Sequence, residues 1–335
     1  GAASPLYLLL GLAPELRKAC GALAPWAQSQ PPGAAAARFW LESARLNWGI
    51  SSTLMRDQAM HATELYRAAL AASTAVAGAG APATDSGHDA RGLYMALRCL
   101  VGSSALPAEQ AQPALDEMAR LERPEWPPRL RAQRILAQVG ALRAGGRLHE
   151  ACLAAESLLT LASAAALALA TSAALSELAS LHLSLGNAEQ AMHHARSLAD
   201  SGTQRSDNFV VHAHAVLVQA SLALGRTPQA RSAMFDFIAA SRVRDWEWFD
   251  LYADLYALLA ASEGRLAAAA RLLGYADAAA LRIGGRVANG AAARASASAL
   301  LEASLAPDNI AALMQEGARA DIDSVCLLTL AQAPE

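Results

Sequence analysis

The sequence predicts an all-α fold built from stacked helical hairpins, and three observations point to it. Alanine and leucine dominate a composition that is 54% hydrophobic and only 5% aromatic, which favours helices packed closely by small side chains over sheets. No stretch of strand length alternates between apolar and polar residues. A glycine recurs at a fixed spacing through the middle of the chain, and a fixed period of this size is typical of stacked helical hairpins.

The repeat is clearest in the segments that begin at Gly146, Gly186, Gly225 and Gly264, which are separated by 40, 39 and 39 residues. We expect each glycine to end the first helix of a hairpin, because that turn needs a positive φ that a Cβ penalises. An alanine follows five residues after each glycine, where a small side chain lets the second helix cross the first closely. These alanines are Ala151, Ala191, Ala230 and Ala269.

Weaker copies of the repeat extend towards the N-terminus. Ala111 lies 40 residues before Ala151, and Ala59 lies 52 residues before Ala111. We assign the excess to a small-residue loop at 77–89, "AGAGAPATDSGHD". The predicted order is therefore an N-terminal helical segment (1–33), about six hairpins (34–284) and a C-terminal helical cap (285–335) with helices near 291–304, 308–318 and 322–330.

Charge and hydropathy exclude two classes of partner. The net charge is −3 and the isoelectric point is near 6.3, so we expect no basic face for direct nucleic-acid binding. The stretch 157–176 carries no charge over a length that could span a membrane. It is rich in alanine, serine and threonine, and the repeat register places a turn inside it. We therefore predict no membrane span.

Few residue groups in the sequence suggest chemistry. The four cysteines are scattered and never form a C-x-x-C pair, so we expect small buried side chains. His193-His194 and His212-x-His214 lack the spacing of a chelating helical pair, and Asp321-x-Asp323 lacks the rest of a calcium loop. "GAGAPA" from Gly78 follows a predicted helix, not a strand. We predict no catalytic residue, no metal and no cofactor.

The turn glycine and the alanine after it resemble tetratricopeptide repeats, although the period is longer than the usual length of about 34 residues. The segments "AAARLLGYADAAALRIGG" and "MQEGARADIDSVCLLTL" resemble the C-terminal region of bacterial predicted-ATPase (STAND-type) transcriptional regulators. "ARFWLESARLN" resembles the entry helix of the same region. The resemblance implies a right-handed superhelix of tetratricopeptide-like repeats with a helical cap.

The resemblance also implies partners for this chain. Regulators of this family carry a DNA-binding domain, then a nucleotide-binding switch domain, then the superhelix as sensor. This sequence has no G-x-x-x-x-G-K-[ST] motif, and its one lysine, Lys18, lies outside any glycine-rich loop. Two alternatives remain open: a fragment of a longer regulator, whose N-terminal nucleotide-binding and DNA-binding domains would be partners, or a stand-alone repeat adaptor.

A ligand groove is predicted where the first helices of the hairpins line a concave face. Counting back from the turn glycines gives inward positions that are basic at one end and acidic at the other. Such a groove would suit a peptide, a protein or a small zwitterionic ligand, and a solvated channel is the alternative. The positions are Arg129, Gln133, Arg143, Ser176, Ser180, Ser184, Asn208, His212, Gln219, Glu247, Asp254 and Ser262.

The aromatic segment 242–259, "RVRDWEWFDLYADLYALL", adjoins the acidic end of this groove. Its aromatic side chains either pack the last hairpin against its neighbour or wall a pocket, and we assign Trp248 and Tyr252 to the groove. The sequence therefore predicts a non-catalytic, cytoplasmic, ligand- or partner-sensing repeat domain of a signal-transducing transcriptional regulator. The alternative is a stand-alone scaffold that holds a protein partner.

Overall fold

A computed structural model describes residues 13–46, 52–78, 86–102, 106, 108–200, 207–243, 246, 248–283, 285–286 and 288–331. Within these ranges the chain forms sixteen α-helices and one short 3-10 helix, with no β-strand. The all-α prediction is confirmed. The chain divides into two compact units, Gly1–Ala154 and Ala155–Glu335.

The described residues of the N-terminal unit form six complete helices and the start of a seventh. Consecutive helices among the six complete ones pack against each other, and their shared core includes Tyr94, Leu97 and Met118, all fully buried. The helices are α1 (Ala13–Ser29), α2 (Ala34–Leu46), α3 (Ser52–Gly78), α4 (Ser86–Val101), α5 (Ala108–Leu121), α6 (Pro128–Ala144) and the beginning of α7 (Leu148–Ala164).

After the rest of α7, the described part of the C-terminal unit forms three successive hairpins and three further helices. The first helices of its hairpins, α8, α10 and α12, contact each other in sequence. A 3-10 helix (Asp250–Tyr252) precedes α12. The helices are α8 (Ala168–Ser184), α9 (Ala188–Asp200), α10 (Asp207–Ala223), α11 (Thr227–Val243), α12 (Ala253–Ser262), α13 (Leu266–Ile283), α14 (Ala288–Glu302), α15 (Pro307–Gly317) and α16 (Ile322–Leu330).

The turn glycines lie between helices, as the repeat predicted. Gly146, Gly186, Gly225 and Gly264 have φ values of 72°, 79°, 68° and 74°. The residue after each glycine donates its N–H to the carbonyl five residues earlier, at 2.8–2.9 Å, which is the Schellman arrangement of helix ends. The four alanines of the repeat are fully buried, and the register read from the sequence is confirmed.

A turn without glycine divides the repeat that begins at Gly146. Ala166 has a φ of 51°, and Leu167 N–H donates to the Ala162 carbonyl at 2.8 Å, as in the glycine turns. This turn lies inside the uncharged stretch 157–176, where the repeat register had placed one. No helix in the described ranges is long and apolar enough to cross a membrane.

The predicted loop at 77–89 is shorter in the structure. Helix α3 continues to Gly78 and α4 begins at Ser86, while 79–85 lie outside the described residues. The four cysteines, all within the described residues, form no disulfide, and Cys99 and Cys152 are buried.

Two glycines explain how α15 packs against α13. A Cβ added to Gly274 would overlap the backbone of Met314, and one added to Gly317 would overlap the backbone of Arg271. Both glycines belong to the segments that resemble the regulator family. They allow the two helix backbones to touch, and this contact attaches α15 to the last hairpin.

Two arginines from successive hairpins hold the end of α16: Arg231 on α11, and Arg265 in the turn between α12 and α13. Arg265 donates to the carbonyls of Leu328 and Thr329 at 2.5 and 2.8 Å, and Arg231 donates to those of Leu330 and Ala331 at 3.0 and 2.8 Å. Glu263 receives hydrogen bonds from both guanidinium groups. Because the carbonyls at a helix C-terminus lack intrahelical donors and carry partial negative charge, two cations stabilise this end.

Candidate functional site

The predicted groove residues fall in both units. Arg129, Gln133 and Arg143 lie on α6 of the N-terminal unit, where both arginines are exposed and Gln133 is half-buried. The backbone of Asn208 lies in α10, but its side chain lies outside the described residues, as does all of Glu247. The C-terminal unit carries the rest of the set on α8, on α10 and around α12: Ser176, Ser180, Ser184, His212, Gln219, Trp248, Tyr252, Asp254 and Ser262.

His212 joins all three hairpins of the C-terminal unit. Its Nε2 lies 2.8 Å from the Oγ of Ser180 on α8, and its Nδ1 lies 2.6 Å from the hydroxyl of Tyr252, just before α12. Each ring nitrogen therefore has a hydroxyl partner, and the tautomer of the imidazole decides which partner donates. Burial raises the pKa of Tyr252, which keeps the phenol protonated at neutral pH.

The Ser180–His212 pair has the separation of a nucleophile and its general base. Acyl transfer also needs donors for the developing oxyanion and access for the substrate. Ser180 is buried and lies inside α8, where backbone N–H groups are used by the helix itself. The arrangement is therefore suited to hydrogen bonding between hairpins.

The start of α14 occupies one end of the predicted groove. Ser184 donates to Asn289 Oδ1 at 3.1 Å, and Gln219 Nε2 donates to the Asn289 carbonyl at 2.8 Å. Helix α14 also packs along α12. The groove-facing side chains of α8 and α10 therefore bind a later segment of the same chain.

Asp254 meets a cation that the chain itself provides. Its side chain is 5% exposed and lies 3.1 Å from Arg286 Nε. Burial raises the pKa of Asp254, and the nearby Arg286 opposes that rise. Arg286 also pairs with Asp277, whose pKa is lowered by its hydrogen bonds with Arg294. These groups form a charge network between α12, α13 and α14.

The aromatic segment packs as core. The rings of Phe249 and Tyr256 lie 4.7 Å apart, and the Tyr256 hydroxyl donates to the Phe249 carbonyl at 2.6 Å. Trp248 and Tyr252 are partly buried against the same cluster. Phe249 and Tyr256 therefore pack as core, whereas Trp246 of the same segment also lines a cavity with Tyr275 and Arg282.

Sequence reasoning missed Asn289 and Arg286, which complete the polar face. Both lie beyond the last turn glycine, in the region interpreted as a cap, and they reach residues 32 to 105 positions earlier. No periodic signal links positions so far apart. Comparison of this chain with protein-family models, curated protein sequences and solved structures finds no match.

Proposed function

We propose that this chain is the ligand- or partner-sensing repeat region of a cytoplasmic, signal-transducing transcriptional regulator, and that it is not itself an enzyme. In this proposal the hairpins stack as a right-handed superhelix of tetratricopeptide type. The positive-φ turn glycines and the buried alanine after each of them support that arrangement.

The observation that carries the proposal is the contact between the polar face and Asn289. Gln219 binds a main-chain carbonyl and Ser184 binds a side-chain amide oxygen. Contacts of this kind hold a peptide segment in a groove, with main-chain bonds contributing affinity and side-chain bonds contributing specificity. The face of α8 and α10 therefore has the chemistry of a peptide-binding surface.

The proposed mechanism is competition at this face. A peptide or protein segment that takes the place of Asn289 would release the start of α14. Because α14 packs on α12, its release would change the arrangement of the cap helices. A ligand with different affinities for the two arrangements would shift their populations and bias an attached switch domain.

A scaffold that holds a protein partner is the second candidate, and one observation favours it. His212 and Asp254 already have partners within the chain, so the face needs no small ligand to satisfy its buried polar groups.

The gene upstream of this chain distinguishes the two candidates. A nucleotide-binding domain followed directly by this sequence supports the regulator, and an open reading frame that begins with this sequence contradicts it. We also expect calorimetry with ATP, and gel shift with DNA, to detect no binding to this chain alone.

At the protein level, peptides and small molecules can be screened by thermal shift and confirmed by calorimetry. Binding at the proposed face should weaken in His212→Ala and Asp254→Ala, provided that both variants remain folded by circular dichroism. Arg196→Ala, at an exposed position of α9, is the control and should bind as the unaltered chain does. Equal binding by all three variants would place the ligand elsewhere.

A further inference from the structure

A cavity in the N-terminal unit has the dimensions of a small-molecule site. It lies between α1, α2 and the first turns of α3, with a volume of about 640 Å³. Ligand sites usually enclose about 300–1,000 Å³ and are mostly apolar with a few polar groups. The apolar part of this lining includes Ala24, Trp40, Leu46 and Leu54.

The charge at the cavity wall is positive. Arg17 and Lys18 both line it, and Arg17 is held there by a hydrogen bond from its Nη1 to the Leu46 carbonyl at 3.2 Å. Asp57 also lines the cavity, but it pairs with Arg56 at 2.9 Å. Lys18 is exposed, and within the described part of the chain no carboxylate forms an ion pair with it. The wall therefore offers an ammonium group that can neutralise an anion.

The indole of Trp40 forms part of the same wall. Trp40 is 6% exposed, and among the described residues its Nε1–H has no acceptor. The Trp40 indole and the His61 ring pack nearly perpendicular to each other, with the ring centroids 5.1 Å apart. Because the indole nitrogen is itself buried, Trp40 contributes apolar surface to the cavity wall.

We propose that this cavity binds a small amphipathic organic anion. The apolar body of the ligand packs between Trp40, Leu46 and Leu54, and its anionic head group lies towards Lys18 and Arg17. Carboxylates and phosphate esters share this head-group chemistry. The site lies in a different unit from the α8–α10 face, so the proposal does not depend on the regulator function.

Calorimetric titration of the full chain with three naphthalene probes tests the proposal. The probes are naphthoate, naphthyl phosphate and naphthylmethylamine, which share one apolar ring system and differ in the head group. We expect one anion per chain, bound about tenfold or more tightly than the amine, because one charge contact near a surface is worth a few kcal/mol at most. A comparison of the affinities of the two anions identifies the preferred head group. If the amine binds as well as the anions, or if no probe binds at millimolar concentration, the proposal is wrong.

Two variants locate the binding. Lys18→Met removes the exposed cation and should weaken anion binding about tenfold. Leu54→Glu places a carboxylate in the lining at a residue that is 46% exposed, so the fold should persist while anion binding is lost. Arg123→Met removes an exposed cation outside the lining and is the matched control.

The outcomes separate the cavity from the rest of the surface. Unchanged anion binding in both Lys18→Met and Leu54→Glu, or an equal loss in Arg123→Met, would overturn the assignment. Circular dichroism of each variant distinguishes lost binding from lost structure. A negative result here leaves the peptide test on the C-terminal unit unaffected, because that test uses different residues and a different class of ligand.

Discussion

The predicted groove residues His212 and Asp254 differ from Lys18 at the N-terminal cavity in whether the chain supplies their partners. In the C-terminal unit, His212 bonds to Ser180 and Tyr252, and Asp254 pairs with Arg286. At the cavity of the N-terminal unit, Lys18 lines the wall, and no carboxylate of the described residues forms an ion pair with it. The chain itself supplies the hydrogen-bond and ion-pair partners of the groove residues, whereas it does not supply every partner at the cavity.

This difference shows that inward polar positions do not by themselves mark an open groove. Polar residues at helical spacing predict a polar face, but the partners of that face can come from distant parts of the same chain. Buried polar groups are nearly always hydrogen-bonded. The residue types on a face therefore predict its polarity, and only the contacts show whether the chain already supplies the partners.

The largest expected effect concerns the packing of α15, one of the cap helices, and tests whether this packing stabilises the C-terminal unit. Gly274→Ala adds a methyl group that overlaps the Met314 backbone, so α15 must move. We expect a loss of about 3 kcal/mol, at the upper end of overpacking effects, measured by chemical denaturation. Gly140→Ala, in α6 with nothing within 4 Å of the added Cβ, should instead gain up to about 1 kcal/mol. Similar small effects in both variants would mean that α15 is not closely packed.

A substitution in the Asp254–Arg286 pair tests whether the charge of Asp254 depends on a cation from the same chain. Arg286→Met leaves the buried carboxylate without its cation, and we expect a loss of about 2–3 kcal/mol at neutral pH. Because the cation no longer opposes the effect of burial, the pKa of Asp254 should rise further. The folded state then binds a proton more readily than the unfolded state, so the deficit should shrink as pH falls towards the ordinary carboxyl pKa.

A matched double variant separates the pair from the rest of the network. If the pair is the cause, Arg286→Met combined with Asp254→Asn should be less destabilised than Arg286→Met alone. If the double variant is as destabilised as Arg286→Met alone, Arg286 acts through Asp277.

Substitution of His212 tests whether its hydrogen bonds stabilise the contact between the hairpins. His212→Ala removes hydrogen bonds to both Ser180 and Tyr252 and should cost about 1–3 kcal/mol. Tyr252→Phe removes one of these bonds and should cost less. If the combined variant loses no more than His212→Ala alone, the two side chains act through the same bond. If the losses of stability add, His212 and Tyr252 do not act through a shared hydrogen bond.

A stacked histidine pair gives the C-terminal unit a dependence on pH. The rings of His182 and His194 lie 5.3 Å apart at an interplanar angle of 11°. Burial, with the charges of His182 and His193, lowers the pKa of His194 to about 4. The unfolded state therefore binds more protons between the ordinary pKa near 6.5 and about 4, and stability falls as pH decreases through that range.

Because His194 is only partly buried, we expect the effect to be about 1 kcal/mol. Thermal unfolding between neutral pH and pH values near 4 measures it. His194→Gln should flatten the profile, whereas the same substitution at the exposed His149 should not.

The smallest expected effect concerns the turn without glycine. Ala166→Gly relieves a left-handed conformation that costs an L-residue about 1 kcal/mol, and we expect a gain of about 0.5–1 kcal/mol. Gly186→Ala places a Cβ in the equivalent turn and should lose a similar amount. If both substitutions destabilise the chain, the Ala166 turn differs from the glycine turns.

The sequence by itself determined the helical fold, the glycine turns and the buried alanines. These features depend on local requirements: a positive φ at Gly186 and a small side chain at Ala191 are fixed by positions five residues apart. It also indicated the three helices after the last hairpin, because turn residues and helical periodicity are local as well. The turn at Ala166 was placed by the register, but its alanine carries no signal of positive φ.

Only the tertiary structure decided which polar residues have partners. Asn289 reaches Ser184 across 105 positions, and Arg286 reaches Asp254 across 32, and no repeat period encodes either distance. The N-terminal cavity likewise depends on how α1 lies on α2 and α3, because residues of all three helices line it. Periodicity specifies which face of a helix turns inward, whereas long-range packing decides whether that face meets another part of the chain or remains open.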